Sequence, residues 1–298
     1  MGADAFRELT VRLGSSTEAM AALGAALRLR VSGEDAPTEV QAALDEVVAA
    51  LGLEELLAGA SPEQLAAMLA PIRALLLQSL DLLTDPARAP GWTYTDAELL
   101  ESQGRSSAGF ARVIRDVLAP TLPGLEATLG RPGATFVDVG VGVGGLAIEM
   151  CRVWPSLRVI GIDPWDYVLA IARRNVAAAG LADRIELRQL GAEQLDDESS
   201  ADLLFLPGPF LPPAVLEAAV ERAFAAIRPG GWVILGLYGG GGRLEDGLAR
   251  LRTARSGGAL FRADQAEALL ARSGFVDVRT MPGGIAIPGL LVVGRRST

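Results

Sequence analysis

The segment 136–145, FVDVGVGVGG, is the feature that most limits what this chain can fold into. A β-branched run ends in closely spaced glycines, and a helical pattern follows over 146–154. Glycines at such a strand-to-helix turn let the backbone approach a ligand without a Cβ clash, and they let the helix pack on the strand. Gly140, Gly142 and Gly145 have the G-x-G-x-x-G spacing, which indicates an adenosine-containing ligand without specifying which one.

From Gly133 onward, short β-branched runs alternate with helical stretches. This alternation predicts an α/β fold, in which a doubly wound parallel sheet carries helices on both faces. The last two runs lack an obvious crossover helix between them, so they are expected to pair antiparallel. The predicted strands are 135–139, 158–163, 184–190, 202–206, 232–237, 275–280 and 289–294.

The first 90 residues are rich in Ala and Leu, with apolar residues at helical spacing and no alternating strand pattern. They predict an all-α N-terminal domain over 1–90, followed by an α/β domain over 91–298. The boundary is placed in the segment 84–91, which is dense in turn-forming residues. The apolar stripes of these helices are expected to pack the helices against one another, and the surplus of apolar surface also suits a lid or a homodimer formed through the N-terminal helices.

Three further local signals concern helices. Ser61, followed by Pro62 and by Gln64, has the pattern of a capping box and predicts a helix start. Pro71 is expected to kink or end that helix. A helical pattern over 96–118 leads into the α/β domain.

Net charge and cysteine content exclude several kinds of binding partner. The net charge of −9 opposes binding to a phosphate backbone, so no nucleic acid partner is expected. The single cysteine, Cys151, is expected in the core, and it leaves no internal disulfide and no multi-thiolate metal site. The N-terminus lacks a secretory signal pattern, and no run reaches the roughly 18–20 apolar residues of a membrane span. We therefore expect a cytoplasmic protein without a metal or a membrane partner.

The motif Asp138-x-Gly140-x-Gly142-x-Gly144 resembles the first motif of class I S-adenosylmethionine-dependent methyltransferases. Asp163 ends the second predicted strand, where this family carries an acid. The segment 227–234 is similar to the turn before the family's fifth strand, and the resemblance covers about half the chain, over 133–296. It implies a Rossmann-like seven-stranded sheet in the order 3-2-1-4-5-7-6 and S-adenosylmethionine as the cofactor.

The resemblance also implies roles in the donor site. The Asp163 carboxylate can accept hydrogen bonds from both ribose hydroxyls, although Pro164 after it also suits a helix N-cap. Asp138 is placed near the methionine end of the donor. Trp165 is placed to pack against adenine, the alternative being a partly buried surface aromatic.

Position 191 is Gly where many relatives carry an Asp that reaches the adenine amino group. Adenine recognition is therefore expected from backbone groups near Ala192, from Glu193, or from a group outside these motifs. The complete predicted cofactor set is Asp138, Gly140, Gly142, Gly144, Asp163, Pro164, Trp165, Ala192, Glu193 and Leu206.

The acceptor side is predicted around the apolar, proline-rich segment 206–213, where the family places acceptor and donor together. The chain lacks the Asn-Pro-Pro-Tyr or Asp-Pro-Pro-Tyr signature of amino-group methylators, which favours a small, apolar or aromatic acceptor methylated at oxygen. Carbon and nitrogen acceptors stay open. The predicted substrate-binding residues are Trp92, Arg105, Pro209 and Phe210.

Every basic residue is Arg, so a general base would have to be Asp, Glu, Tyr or Cys. The catalytic candidates are Tyr94, Gln103 and Tyr238, with packing or surface hydrogen bonding as the alternative roles for the first two. The glycine run 239–242 after Tyr238 is interpreted as a hinge or a disordered loop.

Two other functions are compatible with the glycine loop. An NAD(P)-dependent oxidoreductase would use the loop and Asp163 equally well, but without Lys or His the chain cannot form a Tyr-x-x-x-Lys pair or a His–carboxylate relay. A non-methylating member of the fold could bind the donor, regulate, or catalyse a rearrangement. A DNA-binding winged helix at the N-terminus conflicts with the acidic balance.

Overall fold

The computed structural model describes residues 2–239, 242–281 and 289–298. Its contacts divide the chain into two compact units, Met1–Pro86 and Ala87–Thr298, here called the N-terminal unit and the α/β unit. The boundary predicted from the sequence was placed after residue 90. Gly240 and Gly241 of the predicted hinge lie outside the described residues.

The N-terminal unit is helical, with a small apolar core formed by Ala26, Leu27, Val48, Leu57 and Leu65. Its helices are α1 (Ala3–Ser32), α2 (Thr38–Ala50), α3 (Glu54–Ala58) and α4 (Pro62–Thr84).

The predicted capping box at the start of α4 is confirmed. The Ser61 hydroxyl accepts a hydrogen bond from the Gln64 amide, and the Gln64 side chain accepts one from the Ser61 amide, at 3.3 and 2.8 Å. The alternative that Pro71 ends this helix is wrong, because α4 continues through it to Thr84. A proline inside a helix removes one backbone hydrogen bond, and here Ala70 and Ala74 are buried on either side of it.

Helix α4 is also the one helix among the described residues that is long and apolar enough to cross a membrane, with a mean hydropathy of 1.5 over its best window. Of that window, 17% is buried. A single helix of this kind is weak support for a membrane span, because core helices of soluble proteins meet the same criterion. The expected lack of a membrane partner therefore stays a prediction.

The α/β unit contains a seven-stranded sheet in the order β3-β2-β1-β4-β5-β7-β6. Strands β1 to β5 are parallel, and β7 runs antiparallel to both β5 and β6. The predicted fold class, strand order and antiparallel last pair are thus confirmed. The strands are β1 (Thr135–Val139), β2 (Arg158–Asp163), β3 (Ile185–Gln189), β4 (Ala201–Pro207), β5 (Ile227–Leu237), β6 (Val276–Met281) and β7 (Leu290–Arg295).

The helices of this unit lie before the first strand and between the strands. Asp96 caps the first of them, and the pattern over 96–118 divides into an α-helix followed by a π-helical turn, Ile114–Leu118. The α-helices are α5 (Ala97–Val113), α6 (Ala119–Thr121), α7 (Leu125–Gly130), α8 (Gly145–Val153), α9 (Asp166–Ala178), α10 (Pro213–Ala226), α11 (Arg243–Ser256) and α12 (Ala263–Arg272).

Side chains alternate between the two faces of the sheet. Phe136 and Leu203 pack into the core on one face, and Val137 and Leu204 pack into the core on the other. Because both faces are covered, the central strands read as continuous apolar runs. Strand β5 begins at Ile227, five residues before the predicted start, since the glycine-containing turn is a register shift within the strand.

The amino-terminal edge of the sheet is held by a buried carboxylate. Asp202 is 2% exposed and accepts hydrogen bonds from the Thr135 amide at 2.8 Å and from Arg228 at 2.6 Å. Arg131 donates to its other oxygen. These hydrogen bonds to the Asp202 carboxylate offset the cost of removing it from water.

The substitution Asp202→Asn is expected to destabilise the α/β unit by roughly 2–3 kcal/mol, because it removes charge-assisted hydrogen bonds from two guanidinium groups. All four tryptophans lie in this unit, so urea unfolding followed by tryptophan fluorescence measures its stability. The exposed Asp264, paired with Arg262, supplies the control Asp264→Asn, which should leave the urea midpoint unchanged. Equal midpoints for both variants would contradict this role of Asp202.

Candidate active site

The glycine loop connects β1 to α8 at the carboxyl edge of the sheet. Gly140, Gly142 and Gly144 have φ angles of 68°, 54° and 88°, a region that side chains disfavour. The loop is tied to β2 by a hydrogen bond from the Val141 amide to the Ile162 carbonyl, at 3.0 Å. The backbone amides of the loop and the start of α8 are therefore fixed beside the ends of β1 and β2.

Helix α5 touches this loop directly through its backbone. A Cβ atom at Gly145 would lie 1.9 Å from the Gly104 carbonyl oxygen, and a Cβ at Gly104 would lie 2.2 Å from a methyl group of Val143. Neither contact tolerates a side chain. The two glycines let α5 pack on the first turn of α8.

Asn175 on α9 joins these same elements. Its side-chain amide donates to the Val143 carbonyl at 3.0 Å and to the Glu101 carboxylate at 3.1 Å. Glu101 lies one turn before Gly104 on α5, so one side chain holds both the loop and the helix that covers it.

Asp163, at the end of β2, faces the glycine loop. Its two carboxylate oxygens accept hydrogen bonds from the Gly142 amide at 3.1 Å and from the Trp165 amide at 3.0 Å. Burial raises the pKa of this carboxyl, and these two backbone amides oppose the rise. The N-cap of α9 is Trp165, so the N-cap alternative for Asp163 is wrong.

Asp138, in β1, is 3% exposed, and its Oδ2 atom has no hydrogen-bond partner among the described residues. Burial and the neighbouring Asp163 raise the pKa of this carboxyl to about 8, and the Ala147 amide opposes the rise. No arginine in the described ranges hydrogen-bonds to either carboxylate. A site with two carboxyls and no cation fits a ligand that carries positive charge and hydroxyl groups.

The other residues predicted to bind the methyl donor differ in how much of their side chain is exposed. Trp165 is partly buried and packs with Val143 in an apolar cluster, while Pro164 is exposed. The Glu193 carboxylate lies over Gly191, with its oxygens 2.5 and 2.7 Å from where a Cβ would stand. Ala192 and Leu206 are buried in the sheet core, which leaves only their backbone groups for a ligand.

Four of the residues predicted for catalysis or acceptor binding form a row of aromatic rings. The centroid distances are 4.9 Å from Tyr94 to Trp92, 5.1 Å from Trp92 to Phe210 and 6.2 Å from Phe210 to Tyr238. The row combines the segment before α5 with the residues that follow β4 and β5. Tyr94 and Trp92 also pack with the cluster that contains Val143, so this ring row adjoins the glycine loop.

The end of α11 fixes one side of the ring row. The Gly91 amide donates to the Arg255 carbonyl, and the Ala259 amide donates to the Leu211 carbonyl, at 2.9 and 2.8 Å. A Cβ at Gly258 would lie 2.0 Å from the Pro209 carbonyl oxygen, so the turn after α11 fits directly on the residues after β4.

The remaining predicted residues are not members of the ring row. Arg105 is exposed and pairs with Glu101 at 3.8 Å, while Gln103 is partly buried on α5. Pro209 is buried against Gly258. Cys151 is in the core, as expected, and burial raises the pKa of its thiol to about 11.

Three residues of this region were missed by the sequence analysis. Gly104 carried a signal, because a glycine inside a helical pattern usually has a packing reason. Asn175 and Arg252 carried none, since a polar residue on a predicted helix is ordinarily solvated. Arg252 lies over the Tyr238 ring, with its guanidinium carbon 5.1 Å from the centroid.

The sheet order, the antiparallel seventh strand and the glycine loop together define the class I methyltransferase fold. Residues 136–231 match the family model described as a methyltransferase domain. Human N-acetylserotonin methyltransferase, in a crystal structure with S-adenosylmethionine, is similar over 100% of both chains, with a TM-score of 0.61 and 17% sequence identity.

Two curated relatives are similar to part of this chain. Release factor glutamine methyltransferase of Cereibacter sphaeroides is 41% identical over 80 residues, which are 26% of this chain and 29% of that protein. U6 snRNA (guanine-N(2))-methyltransferase of Bos taurus is 32% identical over 110 residues, which are 35% of this chain and 22% of that protein. The chain thus spans less than a third of the length of either relative. Residues 136–231 thus match a methyltransferase domain model, within an α/β unit that has the class I methyltransferase fold implied by the resemblance.

The raised pKa of Asp138 gives a testable pH dependence. Between about pH 4 and pH 8 the folded protein keeps this proton and the unfolded chain releases it, so the carboxyl lowers stability as pH rises through that window. The neutral variant Asp138→Asn should remove this part of the slope, which is at most about 1.4 kcal/mol per pH unit. Urea unfolding at several pH values checks this, with the exposed Asp183→Asn as the control. Parallel profiles for the wild type and Asp138→Asn would contradict it.

The bridging amide of Asn175 gives a second prediction. In Asn175→Leu the Val143 carbonyl and the Glu101 carboxylate both lose a donor, and S-adenosylmethionine affinity is expected to fall about five- to tenfold, as for one buried hydrogen bond. Calorimetric titration measures this. The exposed neighbour Arg174 supplies the control Arg174→Gln, which should bind like the wild type. An unchanged dissociation constant in Asn175→Leu would show that the Asn175 hydrogen bonds do not hold the glycine loop in its binding conformation.

Proposed function

We propose that this protein transfers the methyl group of S-adenosylmethionine to an oxygen of a small, largely apolar or aromatic metabolite. The observation that carries the proposal is the ring row Tyr94–Trp92–Phe210–Tyr238 beside the glycine loop. Aromatic side chains bind flat apolar ligands through large contact areas and ring–ring contacts.

The donor side of the site supports the same reading. The Asp163 carboxylate keeps lone pairs for hydroxyl groups, in addition to the two backbone amides that it binds. The unpartnered Asp138 oxygen suits an ammonium group. When bound, S-adenosylmethionine supplies a methyl group on a positively charged sulfur, and it also carries an ammonium and a ribose diol.

Rate acceleration is proposed to come mainly from proximity and desolvation. In methyl transfer the acceptor oxygen attacks the methyl carbon, the carbon–sulfur bond breaks with its electrons returning to sulfur, and the acceptor proton leaves to solvent. The ring row would align the acceptor and exclude water. Burial raises the pKa of Tyr238, with Arg252 opposing the rise, so its hydroxyl stays protonated at neutral pH and is a hydrogen-bond donor rather than a base.

A small acceptor is preferred over a macromolecule on grounds of charge. The two curated relatives are named for a protein and an RNA substrate, but this chain has a net charge of −9 and would repel an RNA backbone.

The homodimer and the cytoplasmic location are also proposed. Exposed apolar side chains on α1 and α4 support an assembly through the N-terminal unit: Phe6, Val11, Leu13, Leu80 and Leu83. The single buried cysteine is compatible with a reducing compartment.

The central test is calorimetric titration with S-adenosylmethionine and, separately, with NAD and NADP. We expect micromolar binding of the first alone, and at least a tenfold weakening in Asp163→Asn, because a hydrogen bond to a charged group is worth roughly 1.5–3 kcal/mol. The exposed Asp166, three residues further on, supplies the control Asp166→Asn.

Binding of a dinucleotide instead would favour the oxidoreductase, and binding of nothing would contradict the donor site. Donor binding without methylation of any small hydroxylated aromatic or apolar compound would favour the non-methylating alternative.

A further inference from the structure

The ring row has an arginine at each end. Arg88 lies over Tyr94 with its guanidinium carbon 4.9 Å from the centroid, and Arg252 lies over Tyr238 at 5.1 Å. The two guanidinium groups differ in their other contacts, and this difference decides which of them can bind an acceptor.

Arg88 is engaged by its own segment. It donates to the Gly91 carbonyl at 3.0 Å, to the Thr93 hydroxyl at 3.1 Å and to the Tyr94 hydroxyl at 3.3 Å. These contacts fold the chain before α5 into the shape that presents Trp92 and Tyr94. Arg88 is therefore a positioning residue.

Within the described ranges, Arg252 has no ion pair and no hydrogen bond. Its guanidinium makes a cation–π contact with the Tyr238 ring. The remaining residues, 1, 240–241 and 282–288, include no Asp or Glu. Other arginines of the α/β unit are paired with carboxylates, such as Arg188 with Asp197 and Arg228 with Asp202. Arg252 is a cation at the ring row without an anion.

The backbone that carries Arg252 is fixed relative to the rings. The next residue, Thr253, is buried, and its carbonyl accepts a hydrogen bond from the Gly258 amide at 3.1 Å. Gly258 in turn packs on the Pro209 backbone, directly before Phe210. Arg252 is exposed and its guanidinium lies over the Tyr238 ring, so an incoming group meets it without first breaking an ion pair.

We propose that Arg252 binds a carboxylate on the aromatic acceptor, so that the substrates of this protein are hydroxylated aromatic acids. This inference rests on the proposed function, because it concerns the acceptor of the same site. A guanidinium binds a carboxylate through two parallel hydrogen bonds and also stacks on aromatic faces, which lets Arg252 hold both Tyr238 and the acid.

The overall charge of the protein makes this local cation necessary. A net charge of −9 repels an anionic acceptor. An aromatic acid therefore needs a cation at its binding position, and Arg252 is the guanidinium on the ring row that is free to supply it.

The test compares acid and amide pairs of equal shape, 4-hydroxybenzoate with 4-hydroxybenzamide and 6-hydroxy-2-naphthoate with its amide. Binding is measured by calorimetry on the full chain saturated with S-adenosylhomocysteine. We expect each acid to bind about tenfold more tightly than its amide, the size of one charge-assisted hydrogen bond. In Arg252→Gln the preference should disappear while amide binding is unchanged, and in Arg252→Lys part of it should return.

Arg250, exposed on the same helix, supplies the matched control Arg250→Gln, which should keep the full preference. Equal binding of acids and amides, binding of neither, or a preference that survives in Arg252→Gln would overturn the inference. Saturation with S-adenosylhomocysteine is measured first: donor binding without acid preference contradicts Arg252 alone, whereas lack of donor binding contradicts the proposed function as well.

Discussion

The backbone contact between α5 and the glycine loop is the constraint on which the rest of the site depends. At Gly104 and Gly145 two segments meet more closely than any side chain allows. Because α5 follows directly on the chain that carries Trp92 and Tyr94, the same contact fixes where these rings lie. Asn175 then locks the arrangement by binding the loop carbonyl and Glu101 together. Donor loop and ring row are therefore parts of one packed arrangement.

The electrostatics of the donor site follow from its place at the centre of the sheet. Asp138 lies in the central strand with every neighbour in β1 buried, so its charge is costly without a counter-ion. The neighbouring Asp163 disfavours that charge further, so the Asp138 carboxyl keeps its proton up to about pH 8. A bound cationic ligand would lower the cost of this buried charge. The free energy recovered in this way adds to the affinity for that ligand. A neutral or anionic ligand would not recover it.

Much of the fold could be predicted because its signals are local. The strand before Gly140, the glycine spacing and the acid at Asp163 all lie within short stretches, and the strand order followed from the family that they resemble. Gly104, Asn175 and Arg252 could not be assigned in this way, since their roles arise from contacts between elements far apart in sequence. For Leu206, which was predicted to contact the donor, the side chain lies in the core, which leaves only its backbone for that contact. Pro71 shows that burial on both sides can carry a helix through a residue that is unfavourable by itself.

The chain has neither His nor Lys, so the proposed methyl transfer depends on alignment of the reactants more than on a general base. Under the proposed function, two carboxyls lie on the donor side and a protonated phenol, Tyr238, lies on the acceptor side. None of these is a strong base directed at the acceptor, so under the proposed function alignment must supply most of the acceleration. Effective molarities fall steeply when reacting groups are held loosely. A site of this kind therefore needs rigid support more than it needs a particular base, and the glycine contact, the Asn175 bridge and the hydrogen-bonded end of α11 all provide it.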